Sequence, residues 1–230
     1  MKSPIILALD TQSIETALSW IEATNSEIQT YKAGLEFFLA HGSEGISRLR
    51  EAGDFDLFLD LKLHDIPNTV SSAVKSISHI APKFLTVHAS GGGAMVNAAA
   101  MAAPDIDITA VTILTSLSDD EVKEIGFSQG SLPSAIQLAS MAVSHGAKAI
   151  VCSPLEVNKI REAVGESVSL ITPGVRPAGS ALGDQTRVMT PQEAIAAGST
   201  YLVIGRPITS LLDGGLMKAK AAEINSSIFG

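Results

Sequence analysis

Residues 60 to 65 read Asp-Leu-Lys-Leu-His-Asp. Three of them, Asp60, Lys62 and Asp65, follow the spacing D-x-K-x-x-D, at the end of a mostly apolar run, Phe55 to Leu59. Burying charge without partners is expensive, so this cluster either pairs with itself or faces a ligand. Asp60 and Lys62 stand two apart, and on a strand such residues share a face. Asp65 lies just beyond, where the chain turns toward the next helix. A cation between carboxylates keeps its proton. The spacing alone leaves an alternative open, a self-satisfied ion network that orders a rim.

A second group lies further on. Thr172-Pro173-Gly174-Val175-Arg176-Pro177 opens a segment that runs to about Thr190 without a clear helix or strand pattern. It carries Arg176, Gln185 and Arg187 together with Gly174, Gly179 and Gly183. Long loops inside compact domains are usually functional or disordered. Gly205-Arg206 follows the last strand-like run. Glycine backbone N–H groups, a helix start and an arginine together suit a phosphate. A solvated Gly/Pro turn is the plainer reading.

The elements that must hold these residues alternate. Short apolar runs at Ile5–Leu9, Ile28–Ala33, Phe55–Lys62, Phe84–Val87, Ile106–Leu114, Ala149–Cys152, Ser169–Thr172 and Tyr201–Ile204 read as strands. Segments of helical period separate them, among them Ser13–Ala23, Leu35–Leu49, Val70–Ile80, Ala94–Ala102, Asp119–Ile125, Ser134–His145, Leu155–Val164 and Pro191–Ala197, with a closing helix after Pro207. Eight strand–helix units imply parallel pairing through right-handed crossovers. In 230 residues they predict one domain, a closed (β/α)₈ barrel; a doubly wound open sheet is the runner-up. In such a barrel the strands' C-terminal ends carry the active site. Asp10, Lys32, Asp60, Lys62, Thr115, Ser116 and Arg206 all fall at those ends.

Composition narrows the function. A formal net charge of −8 argues against a nucleic-acid surface, which needs a basic patch. Aromatic residues are 4% of the chain, so the core is aliphatic. The single cysteine, Cys152, excludes an internal disulfide and fits a reducing cytoplasm. The N-terminus lacks the order of a signal peptide, and no apolar stretch suits a membrane span. His64, His88 and the other histidines lack a metal-ligand spacing. Gly91-Gly92-Gly93 fits a tight turn as well as an anion site.

Several segments resemble the orotidine 5′-phosphate decarboxylase family: "LALD" at 7–10, "YKAG" at 31–34, "DLKLHDIPNTV" at 60–70, "TILTS" at 112–116, "TPGVRP" at 172–177, "GDQTRV" at 183–188 and "YLVIGRPI" at 201–208. They occur in order along nearly the whole chain. The resemblance implies a (β/α)₈ homodimer that works without metal or organic cofactor. By the same resemblance Lys62 is the proton donor, Asp60 lies beside the substrate carboxylate, and Lys32 completes a charged array. Asp65 and Thr69 reach the partner's active site, and Asp10 and Lys32 contact ribose. Thr115 and Ser116 lie near the base. Gln185, Gly205 and Arg206 contact phosphate, and Arg176 belongs to the closing loop. A Mg²⁺-dependent sugar-phosphate decarboxylase or aldolase of the same superfamily is the nearest rival; a non-catalytic nucleotide-binding barrel is another.

Overall fold

The computed structural model describes residues 2–177 and 189–229. Eight parallel strands close in chain order, β1 to β8, with β1 pairing β8. The strands are β1 (Ile5–Ala8), β2 (Thr30–Gly34), β3 (Asp56–Leu63), β4 (Phe84–His88), β5 (Asp107–Val111), β6 (Ala149–Val151), β7 (Ser169–Thr172) and β8 (Tyr201–Ile204). The (β/α)₈ reading therefore holds and the open sheet does not. The helices are α1 (Ile14–Thr24), α2 (Leu35–Leu49), α3 (Pro67–Ile77), α4 (Gly93–Ala102), α5 (Asp119–Glu124), α6 (Ser131–Ser144), α7 (Val157–Val164), α8 (Pro191–Ala196), α9 (Arg206–Thr209) and α10 (Gly214–Phe229).

Period-two alternation divides the apolar side chains between two cores. On β1, Ile5 and Leu7 join the large cluster between strands and helices, whereas Ile6 points inward. Ile6, Phe58, Phe84, Ala149 and Ile171 form a separate plug inside the cylinder, with Tyr201 and Val203 packed against it. Phe84 meets both Phe58 and Tyr201 edge-on, at ring-centroid distances of 5.9 and 5.4 Å. This plug is the floor on which the pocket rests.

Helix starts follow their local chemistry. Ser118 and Thr190 each form a capping box, with Glu121 and Glu193 respectively. Proline opens α3 and α8, where its missing N–H is no loss. Helix α3 thus begins at Pro67, three residues before the Val70 expected from periodicity. Strand β5 ends at Val111 instead of Leu114. Gly42, at φ 58°, breaks α2 into two helical pieces. That geometry suits glycine, which has no Cβ to clash.

Candidate active site

Register places the charged side chains side by side. Ala8 pairs with Lys32, Lys32 with Phe58, and Gly34 with Asp60. Inward positions on β2 and β3, and the residue two beyond Ala8 on β1, converge above the plug. Lys32 Nζ lies 3.0 Å from Asp10 Oδ1 and 3.6 Å from Asp60 Oδ2. Lys62 Nζ lies 2.8 Å from Asp60 Oδ1. The result is an alternating array, Asp10–Lys32–Asp60–Lys62. Gly34 leaves room for it: a Cβ there would stand 3.1 Å from Lys32 Nζ.

The inner pair of the array is buried and the outer pair faces the opening. The side chains of Lys32 and Asp60 are 11% and 12% exposed, against 30% for Lys62 and 64% for Asp10. Burial alone would push the Lys32 pKa down, but the carboxylates of Asp60 and Asp10 outweigh it and raise it above the ordinary lysine value. Burial alone would raise the Asp60 pKa. The ammonium groups of Lys32 and Lys62, with hydrogen bonds from Lys62 and Thr86, hold it below the ordinary carboxylate range instead. All the charges of the inner pair therefore persist at neutral pH.

Asp60 and Lys62 meet, but not through a regular strand. Leu59 pairs with Leu85 and Leu63 with Val87, so four steps on β3 span two on β4. Lys62 has φ 49°, one of two non-glycine residues with positive φ among the described residues. For such a residue the left-handed region costs about 1–2 kcal/mol. The irregularity re-aims the Lys62 side chain, a known use of bulges beside active sites.

The pocket above the plug is lined by the apolar residues Ala8, Phe58, Val111, Ile113, Val151 and Val203 together with the charged array. Thr115, Pro173, Gly174, Arg176, Gly205 and Arg206 complete its rim. Gly205 precedes the short helix α9, whose first residue is Arg206. The Arg176 backbone N–H donates to Met189 O at 2.9 Å, and Val175 bridges to Met189.

The structure thus brings together Asp10, Lys32, Asp60, Lys62, Thr115, Arg176, Gly205 and Arg206. It places Ser116 in a neighbouring groove with Ser118, Asp119 and Ser131. Asp65 is exposed and accepts the N–H of Ile66 at 2.6 Å, with no ion pair to Lys62 within the chain. Thr69 is exposed on the first turn of α3. Gln185 and Arg187 lie outside the described residues, as do Gly179 and Gly183. The His64 and His88 rings lie tilted at 42° with centroids 5.5 Å apart, and burial, with His64 and Lys62 nearby, pushes the His88 pKa down. Cys152 is fully buried, and burial pushes its thiol pKa up, away from nucleophile chemistry. Among the described residues no group of three or more His, Cys, Asp or Glu is placed to hold a metal ion.

Sequence reasoning missed Thr86. Its side chain is completely buried, donates to Asp60 Oδ1 at 3.0 Å and accepts the backbone N–H of Lys62 at 2.8 Å. On a strand, threonine is an ordinary β-branched residue. Only its inward parity, shared with Phe84 and beside Asp60, marks it. The apolar wall was equally hidden, because inward and outward aliphatic residues look alike in sequence.

A barrel with a charged pocket at the C-terminal ends of its strands defines a TIM-barrel protein with an enzyme-type site. The pattern of the family described as "Orotidine 5'-phosphate decarboxylase / HUMPS family" matches residues 3–213, and the chain belongs to that family. An orotidine 5′-phosphate decarboxylase from Thermobifida fusca (strain YX) is 50% identical over 228 residues, covering 99% of this chain and 98% of that one. One from Frankia casuarinae is 43% identical, covering 98% and 89%. The crystal structure of orotidine 5′-phosphate decarboxylase from Lactobacillus acidophilus superposes with a TM-score of 0.86 at 34% identity over 100% of both chains.

Proposed function

We propose that the protein is a carboxy-lyase that converts orotidine 5′-phosphate to UMP and CO₂, a step of pyrimidine biosynthesis. The observation that carries this reading is the Lys62 ammonium, fixed 2.8 Å from Asp60 at the mouth of a pocket with an apolar wall. The near full-length likeness to decarboxylases supports it.

The chemistry needs such a site. When the C6–carboxyl bond breaks, its electron pair stays on C6 as a poorly delocalised carbanion, and CO₂ leaves. A fixed ammonium aimed at C6 stabilises that charge as it develops, in a wall of low polarity where the interaction is strong. Lys62 then transfers a proton from Nζ to C6 and regains one from solvent. Asp60, beside the substrate carboxylate, disfavours the charged reactant more than neutral CO₂. Lys32 keeps Asp60 ionised and joins Asp10 at the ribose hydroxyls. Thr115 lies toward the base, whereas Ser116 lines the neighbouring groove. Gly205, Arg206 and Gln185 take the phosphate, and Arg176 contributes from the closing loop. Phosphate binding far from C6 can drive closure and support the reacting end.

Two further parts of the reading concern assembly and place. Asp65 and Thr69 are exposed and do not line their own pocket, as expected of residues that complete a partner's site in a homodimer. The protein works in the cytoplasm: its single cysteine is buried and unpaired. Among the described residues no helix is long and apolar enough to cross a membrane. The metal-dependent rival is disfavoured by donor chemistry, since both Asp60 oxygens already face ammonium groups.

The test follows CO₂ release and the pyrimidine absorbance change on adding orotidine 5′-phosphate to the purified chain in excess EDTA. Turnover supports the reading. Turnover that appears only after Mg²⁺ is restored favours the rival, and no turnover in either condition favours a binding barrel.

A further inference from the structure

Decarboxylation at this site needs two groups to hold still. Lys62 must keep its ammonium on one carbon, and Asp60 must keep its carboxylate beside another. Neither is rigid by its own chemistry. Asp60 rotates freely about two bonds in isolation. Lys62 sits on an irregular stretch of β3 in a backbone conformation that its side chain does not favour.

One hydroxyl ties both down. On β3, residues 59 to 63 span the same ladder distance as residues 85 to 87 on β4. Thr86 stands opposite this excess. Its side chain, not its backbone, takes the Lys62 N–H at 2.8 Å. With that lone pair filled, the hydroxyl proton points at Asp60 Oδ1, 3.0 Å away. The same Oδ1 accepts from Lys62 Nζ, while Oδ2 faces Lys32. The carboxylate is therefore gripped from three sides, and the hydroxyl also holds the residue whose ammonium grips it. Thr86 is 0% exposed, so water does not compete for either bond.

Resting on the decarboxylase reading, we propose that Thr86 is a positioning residue for catalysis. Through one hydroxyl it fixes the rotamer of Asp60 and the backbone root of Lys62, and so the distance between carboxylate and ammonium. It is fully buried and does not line the pocket, so its loss affects the chemical step and not substrate affinity. Misplacing such a pair by a fraction of an ångström is enough to slow the reaction.

The test compares Thr86→Val, which keeps the shape and removes the hydroxyl, with Thr86→Ser, which restores it. Steady-state turnover of orotidine 5′-phosphate and the affinity for UMP are measured below each variant's unfolding temperature. The Val variant is expected to lose roughly 10- to 100-fold in kcat. Its KM and UMP affinity should stay within about threefold. The Ser variant should recover kcat to within about threefold. Thr86→Ala gives the same reading if Val does not fold. A hydroxyl-free variant with near-normal kcat, a change in KM alone, or a Ser variant as impaired as Val overturns the proposal. A chain that, unsubstituted, releases no CO₂ overturns the decarboxylase reading and this one with it. An active parent with an unaffected Val variant overturns this one alone.

Discussion

Lys62 Nζ and Asp60 Oδ1 lie 2.8 Å apart on one strand, yet the register of that strand against β4 breaks between Leu59 and Leu63, around them. A regular β3 would bring Leu63 level with a residue beyond Val87 and would set Lys62 at negative φ. Instead Lys62 adopts φ 49°. The site holds its proton donor at a conformational cost, and that cost is a measurable property.

Substituting Lys62 by glycine or by alanine separates strain from chemistry. Both variants lose the ammonium. Glycine occupies the left-handed region freely, although it gains more disorder when unfolded. The Gly variant should be more stable than the Ala variant by about 0.5–1 kcal/mol. Urea unfolding followed by circular dichroism reads the difference. Equal stabilities would show that the conformation is not strained.

Removing the buried anion should destabilise the fold. Asp60→Asn leaves Lys32 and Lys62 facing each other across a neutral amide. Losing one partner of a buried ion pair typically costs about 3–5 kcal/mol. Asp10 still pairs Lys32, so the low end, about 3 kcal/mol, is expected. A lower urea midpoint at unchanged slope is the signature. An unchanged midpoint would mean that the array contributes nothing to stability.

The array also sets a pH window. The Asp60 pKa is lowered on folding, so its contribution is present above the unfolded value of 3.8 and is lost as pH falls through the lower folded value. The Lys32 pKa is raised, so its contribution is complete below 10.5 and is lost as pH rises through the higher folded value. Between these limits the array's share of stability is flat. Lys32→Gln removes the largest attraction on Asp60, whose pKa then rises. Acid unfolding of that variant should shift to higher pH by about one unit. Urea midpoints from pH 3 to pH 10 on both chains test this; superimposable profiles would contradict it.

Gly34 offers a test of room. Its φ of −92° admits alanine, but the new Cβ would press on Lys32 Nζ at 3.1 Å. Gly34→Ala should fold with a stability change within about 0.5 kcal/mol. It should lose roughly tenfold in kcat/KM, because a displaced ammonium no longer holds Asp60 and Asp10 in register. Full activity would show that the position of Lys32 is not critical.

Much of this was legible before the structure. Strict alternation of apolar runs and helical segments leads to the closed barrel, and strand-end polarity leads to Asp10, Lys32, Asp60, Lys62 and Arg206. Other features depended on tertiary geometry. The D-x-K spacing suggested a shared strand face, but a bulge brings the two side chains together. D-x-K-x-x-D also suggested a second carboxylate beside Lys62, whereas Asp65 turns outward into solvent. Ser116 follows Thr115 directly, yet the chain after β5 turns it into another groove. Thr86 carries no sequence signal, because a hydroxyl bonding a carboxylate and a backbone N–H looks, in sequence, like any strand threonine.

Catalysis rests on the Lys62 ammonium, and single-turnover CO₂ release from orotidine 5′-phosphate by Lys62→Ala measures that dependence. Circular dichroism on the same sample confirms the fold. A native spectrum is expected, with release slowed by at least about 10³-fold. A folded variant that releases CO₂ within tenfold of the unsubstituted rate would contradict it.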